Sequence, residues 1–140
     1  MPSSELYRLF EHTADLGVEV NGVSLEEAIT RLLLALYDLH VSIDTIEPKV
    51  ERRLEVYGET LEDAVVYLLE EALFLFDTEG FIARIANVEI TDGRITATMK
   101  GEFFAPERHI PKFEIKAITY HQLSIKETKD GYTIRVVFDV

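Results

Sequence analysis

The stretch VNGVSLEEAITRLLLALYDL, residues 20–39, aligns without gaps to VYGETLEDAVVYLLEEALFL, residues 56–75, and this internal echo decides the fold. Identities fall at Val20/Val56, Gly22/Gly58, Leu25/Leu61, Glu26/Glu62, Ala28/Ala64, Leu32/Leu68, Leu33/Leu69 and Leu39/Leu75. Each copy reads as a strand, a glycine turn and a helix. Ser24 with Glu27, and Thr60 with Asp63, stand at N-cap and N3 spacing, the first pair a full capping box and the second a shorter version. Apolar residues then recur at helical period: Leu25, Ala28, Ile29, Leu32, Leu33, Leu36 and Leu39, and Leu61, Ala64, Val65, Leu68, Leu69, Ala72, Leu73 and Phe76. Both stripes therefore face a core. Two copies are too few for a solenoid, so the repeat predicts two helices side by side on a shared sheet.

Beyond Gly80, a C-cap glycine by position, the pattern turns to strands. IARIANVEIT leads through an Asp92-Gly93 turn into RITATMKGEFF, a hairpin by turn chemistry and alternation. A loop around Pro106 to Pro111 precedes FEIKAIT and QLSIKET, and the Asp130-Gly131 turn joins the latter to YTIRVVFDV. Helices early and strands late predict an α+β two-layer sandwich, with two helices packed on a largely antiparallel sheet. The absence of a linker or low-complexity tract predicts a single domain over residues 1–140.

Composition narrows the chemistry. Fourteen Lys and Arg against 26 Asp and Glu give a net charge of −12, so a phosphate backbone meets a repulsive average field and no direct nucleic-acid binding is expected. With no cysteine, disulfides, thiolate nucleophiles and zinc-thiolate sites are excluded, and metal donors reduce to oxygen and imidazole. The opening MPSSELYRLF lacks the basic-then-apolar order of an export signal, and no apolar run approaches the ~20 residues of a membrane helix. A cytoplasmic protein with no membrane association is the expectation.

Three places could carry chemistry. EHTADLGVEV sets Glu11, His12 and Asp15 in a short polar break, where a local turn is the plainer reading. At the other end, alternation along RVVFDV puts Val136, Phe138 and Val140 on one face and Arg135, Val137 and Asp139 on the other, where a carboxylate can simply be solvated. PERHIPKFEIKAITYH places His109 in a proline-flanked loop and His121 at a strand end. No HExxH, GxSxG or glycine-rich phosphate loop is present, and no catalytic residue is assigned.

EHTADLGVEV, GETLEDA, FDTEG, PERH followed by EIKAITYH, and the closing VVFDV occur in an order and spacing that resembles the archease family over essentially the whole chain. The resemblance implies a non-enzymatic protein cofactor of the GTP-dependent tRNA-splicing ligase, promoting its guanylylation and multiple turnover. It also implies a chaperone-like modulator of a tRNA methyltransferase as an alternative. A small metal-dependent hydrolase is a third reading, because the resemblance further implies a metal site at Asp15, Asp139 and Val140. Those positions offer hard oxygen donors, which favour Ca²⁺ and allow Mg²⁺. His12 is then placed as a supporting or partner-contacting residue, with His121 in the same role.

Overall fold

The structure is a computed structural model that describes residues 2–10 and 15–140. In chain order it contains β1 (Arg8–Phe10), β2 (Asp15–Gly22), α1 (Leu25–His40), β3 (Val50–Tyr57), α2 (Leu61–Glu79), β4 (Phe81–Thr91), β5 (Arg94–Phe103), β6 (Ala117–Thr128) and β7 (Gly131–Asp139). The predicted caps form. Ser24 accepts from the Glu27 N–H at 3.1 Å and Thr60 from the Asp63 N–H at 3.0 Å. The reciprocal half of the first box is replaced, because the Glu27 carboxylate reaches forward one turn to Arg31 at 3.1 Å. Gly80 ends α2 in the left-handed conformation at φ 73°, its N–H bonded to the Phe76 carbonyl.

The α+β class stands, but the shared sheet does not. All strand pairs are antiparallel, and they form two sheets, ordered β1-β2-β7-β6 and β3-β5-β4. Each repeat strand adds to the edge of a different hairpin: β2 joins β7 of the β6–β7 pair, and β3 joins β5 of the β4–β5 pair. The echo therefore marks two units of the same kind, β2-α1-β6-β7 and β3-α2-β4-β5, and in both the last strand takes the middle place. The second unit is inserted in sequence between α1 and β6 of the first. Each helix lies on its own repeat strand and also on the first hairpin strand of the other unit, α1 on β2 and β4, α2 on β3 and β6. That exchange explains why the buried surface of α1 exceeds its predicted stripe. Leu34, Ala35, Tyr37, Asp38 and His40 are buried as well, because the second sheet covers what one sheet would leave wet.

The identities Gly22/Gly58 and Ala28/Ala64 belong together. A Cβ on Gly22 would stand 2.4 Å from the Ala28 nitrogen, and one on Gly58 would stand 2.4 Å from the Ala64 nitrogen. The end of each strand is pressed against the first turn of the helix that follows it. Only glycine permits the approach.

Segment 104–116 straps the C-terminal end of α1. Lys112 and Phe113 donate backbone N–H groups to the carbonyls of His40 and Leu39 at 2.9 and 3.0 Å, satisfying acceptors that a helix end leaves open. Asp38, buried in the last turn, accepts from the Tyr7 hydroxyl at 2.6 Å and the Ile43 N–H at 3.0 Å, with the Lys112 ammonium at 3.5 Å. The other anchor is Glu102, also buried, which receives the Glu47 N–H at 2.7 Å and the Arg108 guanidinium, with His109 Nε2 at 3.5 Å. Burial pushes the Glu102 carboxyl up, but the Arg108 hydrogen bond, the Glu47 amide and the charges of Arg108 and His109 outweigh it and hold the group below the usual range. FEIKAIT and QLSIKET, expected as separate strands, meet in a single strand that takes only Ala117–Thr119 of the first and all of the second. β6 has a register shift between Thr119 and Ser124, where Gln122 takes φ 57°.

Two outcomes follow from this packing. Gly22→Ala and Gly58→Ala are each expected to destabilise by about 1–3 kcal/mol through overpacking, while Val23→Ala, 76% exposed, leaves the urea midpoint unchanged. The second concerns His40, stacked on Phe76 at 4.1 Å and held by burial to a pKa of about 4. Because the folded value lies below the unfolded 6.5, its contribution is full above pH 6.5 and is lost as pH falls toward 4. Urea titrations at pH 7 and pH 5 are expected to show a loss on the order of 2 kcal/mol in the wild type and a smaller one in His40→Phe.

Candidate functional site

The register of β2 with β7 brings the two ends of the chain's first and last long strands together. Leu16, Val18 and Val20 pair with Phe138, Val136 and Ile134, and all six are buried on the helix-facing side. The same register sets Asp15 directly opposite Asp139. Cross-strand partners point to the same face with Cβ atoms about 5 Å apart, so two carboxylates share one patch of the outer surface. Both residues are half-buried. Asp139 is further tied by its carbonyl, which accepts the Lys116 N–H at 2.7 Å.

Beside the pair, the outer face is less polar than its alternation suggests. Val137 points outward yet is fully buried. Its partner Gly17 explains how, since Phe10 crosses so closely that a Cβ on Gly17 would meet the Phe10 carbonyl oxygen at 2.4 Å and the ring at 2.5 Å. The Arg135 guanidinium lies over that ring at 3.9 Å and faces Glu19 at 3.5 Å, while Arg8 reaches Glu19 from the other side at 2.6 Å. The nearest arginine in register is thus engaged by Glu19 and Phe10. Among the described residues, no lysine or arginine forms an ion pair with Asp15 or Asp139.

Two facing carboxylates without a cationic partner repel one another and match the donor chemistry of a hard divalent cation. The fit has a limit. Among the described residues, no group of three or more His, Cys, Asp or Glu side chains is assembled as a metal centre, and Asp15 and Asp139 are the two carboxylates that the register brings together. Val140 has its side chain packed against the core beside Phe138, which holds the end of β7 in place next to Asp139.

The histidines fall elsewhere. His12 lies in residues 11–14, outside the described residues. His121 is exposed and sits within the bulge of β6, not at a strand end. Ala117 is the β6 residue opposite Asp139, so His121 is displaced along the strand by four residues, about 13 Å at ordinary strand rise. His109 is buried in the strap, its Nδ1 accepting from the Ala105 N–H at 2.9 Å, and serves the Glu102 anchor. Sequence reasoning missed Phe10, Gly17, Glu19 and the engagement of Arg135. The available signals were a glycine and a valine at outward positions of alternating strands.

Comparison with known proteins identifies the family. The archease protein family (MTH1598/TM1083) matches residues 7–140. The archease of Pyrococcus furiosus is 46% identical over 87% of this chain and 89% of its own length. That of Archaeoglobus fulgidus is 37% identical over 96% and 98%. Among solved structures, protein 1598 of Methanobacterium thermoautotrophicum superposes with a TM-score of 0.79 at 28% identity, covering 97% of this chain and 99% of that one. An archease and possible chaperone from Thermotoga maritima gives 0.66 at 25%, covering 95% and 96%. The match spans both strands that bear the aspartates and both repeat units, and the chain belongs to the archease family.

Proposed function

We propose that this chain is a cytoplasmic, non-enzymatic accessory protein that activates the GTP-dependent tRNA-splicing ligase, promoting its guanylylation and multiple turnover, with a divalent cation held at Asp15, Asp139 and Val140. The observation that carries the reading is the direct opposition of Asp15 and Asp139 in the β2–β7 register. The pair lies on the outer face, where packing does not demand a charge, and a hard cation turns the repulsion into a binding site. Ca²⁺, tolerant of irregular oxygen sets, suits these donors better than Mg²⁺. When bound, the cation supplies positive charge and attracts oxygen ligands from the partner. The chain's own residues do the rest: Gly17, Val137 and Phe10 hold the floor beside the pair, and Arg135 with Glu19 fixes Phe10.

The net charge of −12 supports a protein partner over a nucleic acid, because it steers the chain to the basic surface of an RNA-handling enzyme and away from the RNA itself. Among the described residues no helix is long and apolar enough to cross a membrane. The description of the Thermotoga maritima archease as a possible chaperone favours a second reading, a chaperone-like modulator of a tRNA methyltransferase.

A ligation time course with substoichiometric ligase separates these. Several turnovers per ligase are expected only with this protein present, and Asp15→Asn and Asp139→Asn are expected to abolish the stimulation; unchanged stimulation by both variants would sink the metal-linked reading. Thermal melts supply a readout independent of activity. In EDTA, Asp139→Asn is expected to melt at or above the wild type, since the removed repulsion is worth about 0.2–1 kcal/mol. With excess CaCl₂ the wild type overtakes the variant as binding to the folded state raises its midpoint. Protection of the methyltransferase from aggregation, without any effect on ligation, selects the second reading.

A further inference from the structure

α2 is unusual in its charge. It carries Glu62, Asp63, Glu70, Glu71, Asp77 and Glu79 and has no Lys, Arg or His. Its outward stripe runs Asp63, Tyr67, Glu70, Phe74, Asp77 at alternating steps of four and three residues, one continuous helical face. On that face Phe74 is 64% exposed and Tyr67 41% exposed, and Tyr120 from the β6 bulge, 52% exposed, donates its hydroxyl to Asp63 at 2.7 Å. Exposed aromatics gathered inside an acidic rim are the composition of an interface, not of a solvated helix back.

Between α2 and β6 this face opens into a groove of about 250 Å³. Leu73, Ala117 and Ile118 form its apolar floor, Phe74 one wall, and Glu70 and Asp77 its acidic rim. Lys116 stands on the β6 bank, and two carboxylates outweigh it. Asp77 also lies in the last turn of α2, at the negative end of the helix dipole, where a carboxylate disfavours the helix and deepens the negative potential of the groove. Among the described residues Asp77 has no ion-pair partner, in contrast to Glu79, which Arg52 meets at 2.9 Å. An apolar floor with a carboxylate on either side fits one long cationic side chain, stem down on Phe74 and head between Glu70 and Asp77. Phosphate is repelled by the same charges, so an RNA is the wrong occupant.

We propose that the exposed face of α2, with the groove between α2 and β6, docks a lysine- or arginine-bearing segment of the partner protein. The groove begins beside Ala117, the residue opposite Asp139 in the β6–β7 register. The inference rests on the reading that the chain acts by docking on an enzyme, and it assigns the surface that does so.

Binding of the purified ligase is measured for the wild type, Phe74→Ser and the double variant Glu70→Lys/Asp77→Lys, at low and near-physiological salt. Both variants are expected to weaken binding at least about tenfold, and the double variant to lose the salt dependence shown by the wild type. Misfolding is controlled within the design, because a lysine at position 77 complements the helix end and keeps or raises the melting temperature. Variant affinities within twofold of wild type overturn the surface. If the ligase fails to bind the wild type, the proposed function fails, and the same variants against the tRNA methyltransferase decide the surface. A tenfold loss there sustains it, and wild-type-like binding, or no binding to either enzyme, overturns it.

Discussion

The contact on which the architecture depends is the press of Gly22 against Ala28 and of Gly58 against Ala64. At each junction the strand ends so close to the backbone of the first helical turn that a Cβ on the glycine cannot be accommodated. This fixes the angle at which each helix leaves its strand. With that angle set, α1 spans from β2 to β4 and α2 from β3 to β6, so each helix packs on strands of both units. A helix swung outward by a bulkier junction keeps its own strand and loses the other unit's hairpin. Among the described residues the two sheets share no strand pairing, and each helix packs on strands of both.

Local chemistry sets the features of this arrangement that are legible in the sequence. Caps at Ser24 and Thr60, the αL glycine at Gly80 and the Asp-Gly turns are decided within a few residues, and each appears in the structure. The pairing of β2 with β7 spans more than a hundred residues of sequence and depends on which hairpin edge is free, a property of the assembled sheets. Periodicity shows that a strand exists and which face is apolar, not which sheet receives it. The same holds for α1, whose pattern marks one buried stripe while its second covered side depends on a sheet contributed by the inserted unit. FEIKAIT and QLSIKET read as two strands because the bulge at residues 120–123 breaks the alternation that a continuous strand would show.

The candidate site divides along the same line. Asp15 and Asp139 are identified through a family resemblance, and nothing in their local sequence distinguishes them from a turn former and a solvated carboxylate. What the structure adds is their opposition, and with it the reason their neighbours matter. Gly17 and Val137 interrupt an outward polar face in the sequence pattern. In the fold they form the seat for Phe10, whose ring is clamped by an arginine that Glu19 holds in turn. The PERH segment goes the other way. Arg108 and His109 converge on the buried Glu102, so a histidine-bearing motif with the composition of a chemical site instead closes the strap over α1.

The energetics of the β2–β7 pair explain how a like-charged opposition can persist. The six inner-face side chains from Leu16 to Val20 and from Ile134 to Phe138 are buried, each worth about 1.5–3 kcal/mol on leaving water. A slip of one residue separates the aspartates but turns that entire set toward solvent, because side chains alternate with a period of two. Repulsion between directly opposed carboxylates is smaller, on the order of 1 kcal/mol or less. The core therefore dictates the register and forces Asp15 against Asp139, with no local rearrangement that relieves the charge. α2 carries the same conflict at its own scale, Asp77 standing at the helix end least suited to it and, among the described residues, without an ion-pair partner. The two placements meet near Ala117, which stands opposite Asp139 in the β6–β7 register and lines the same groove as Asp77.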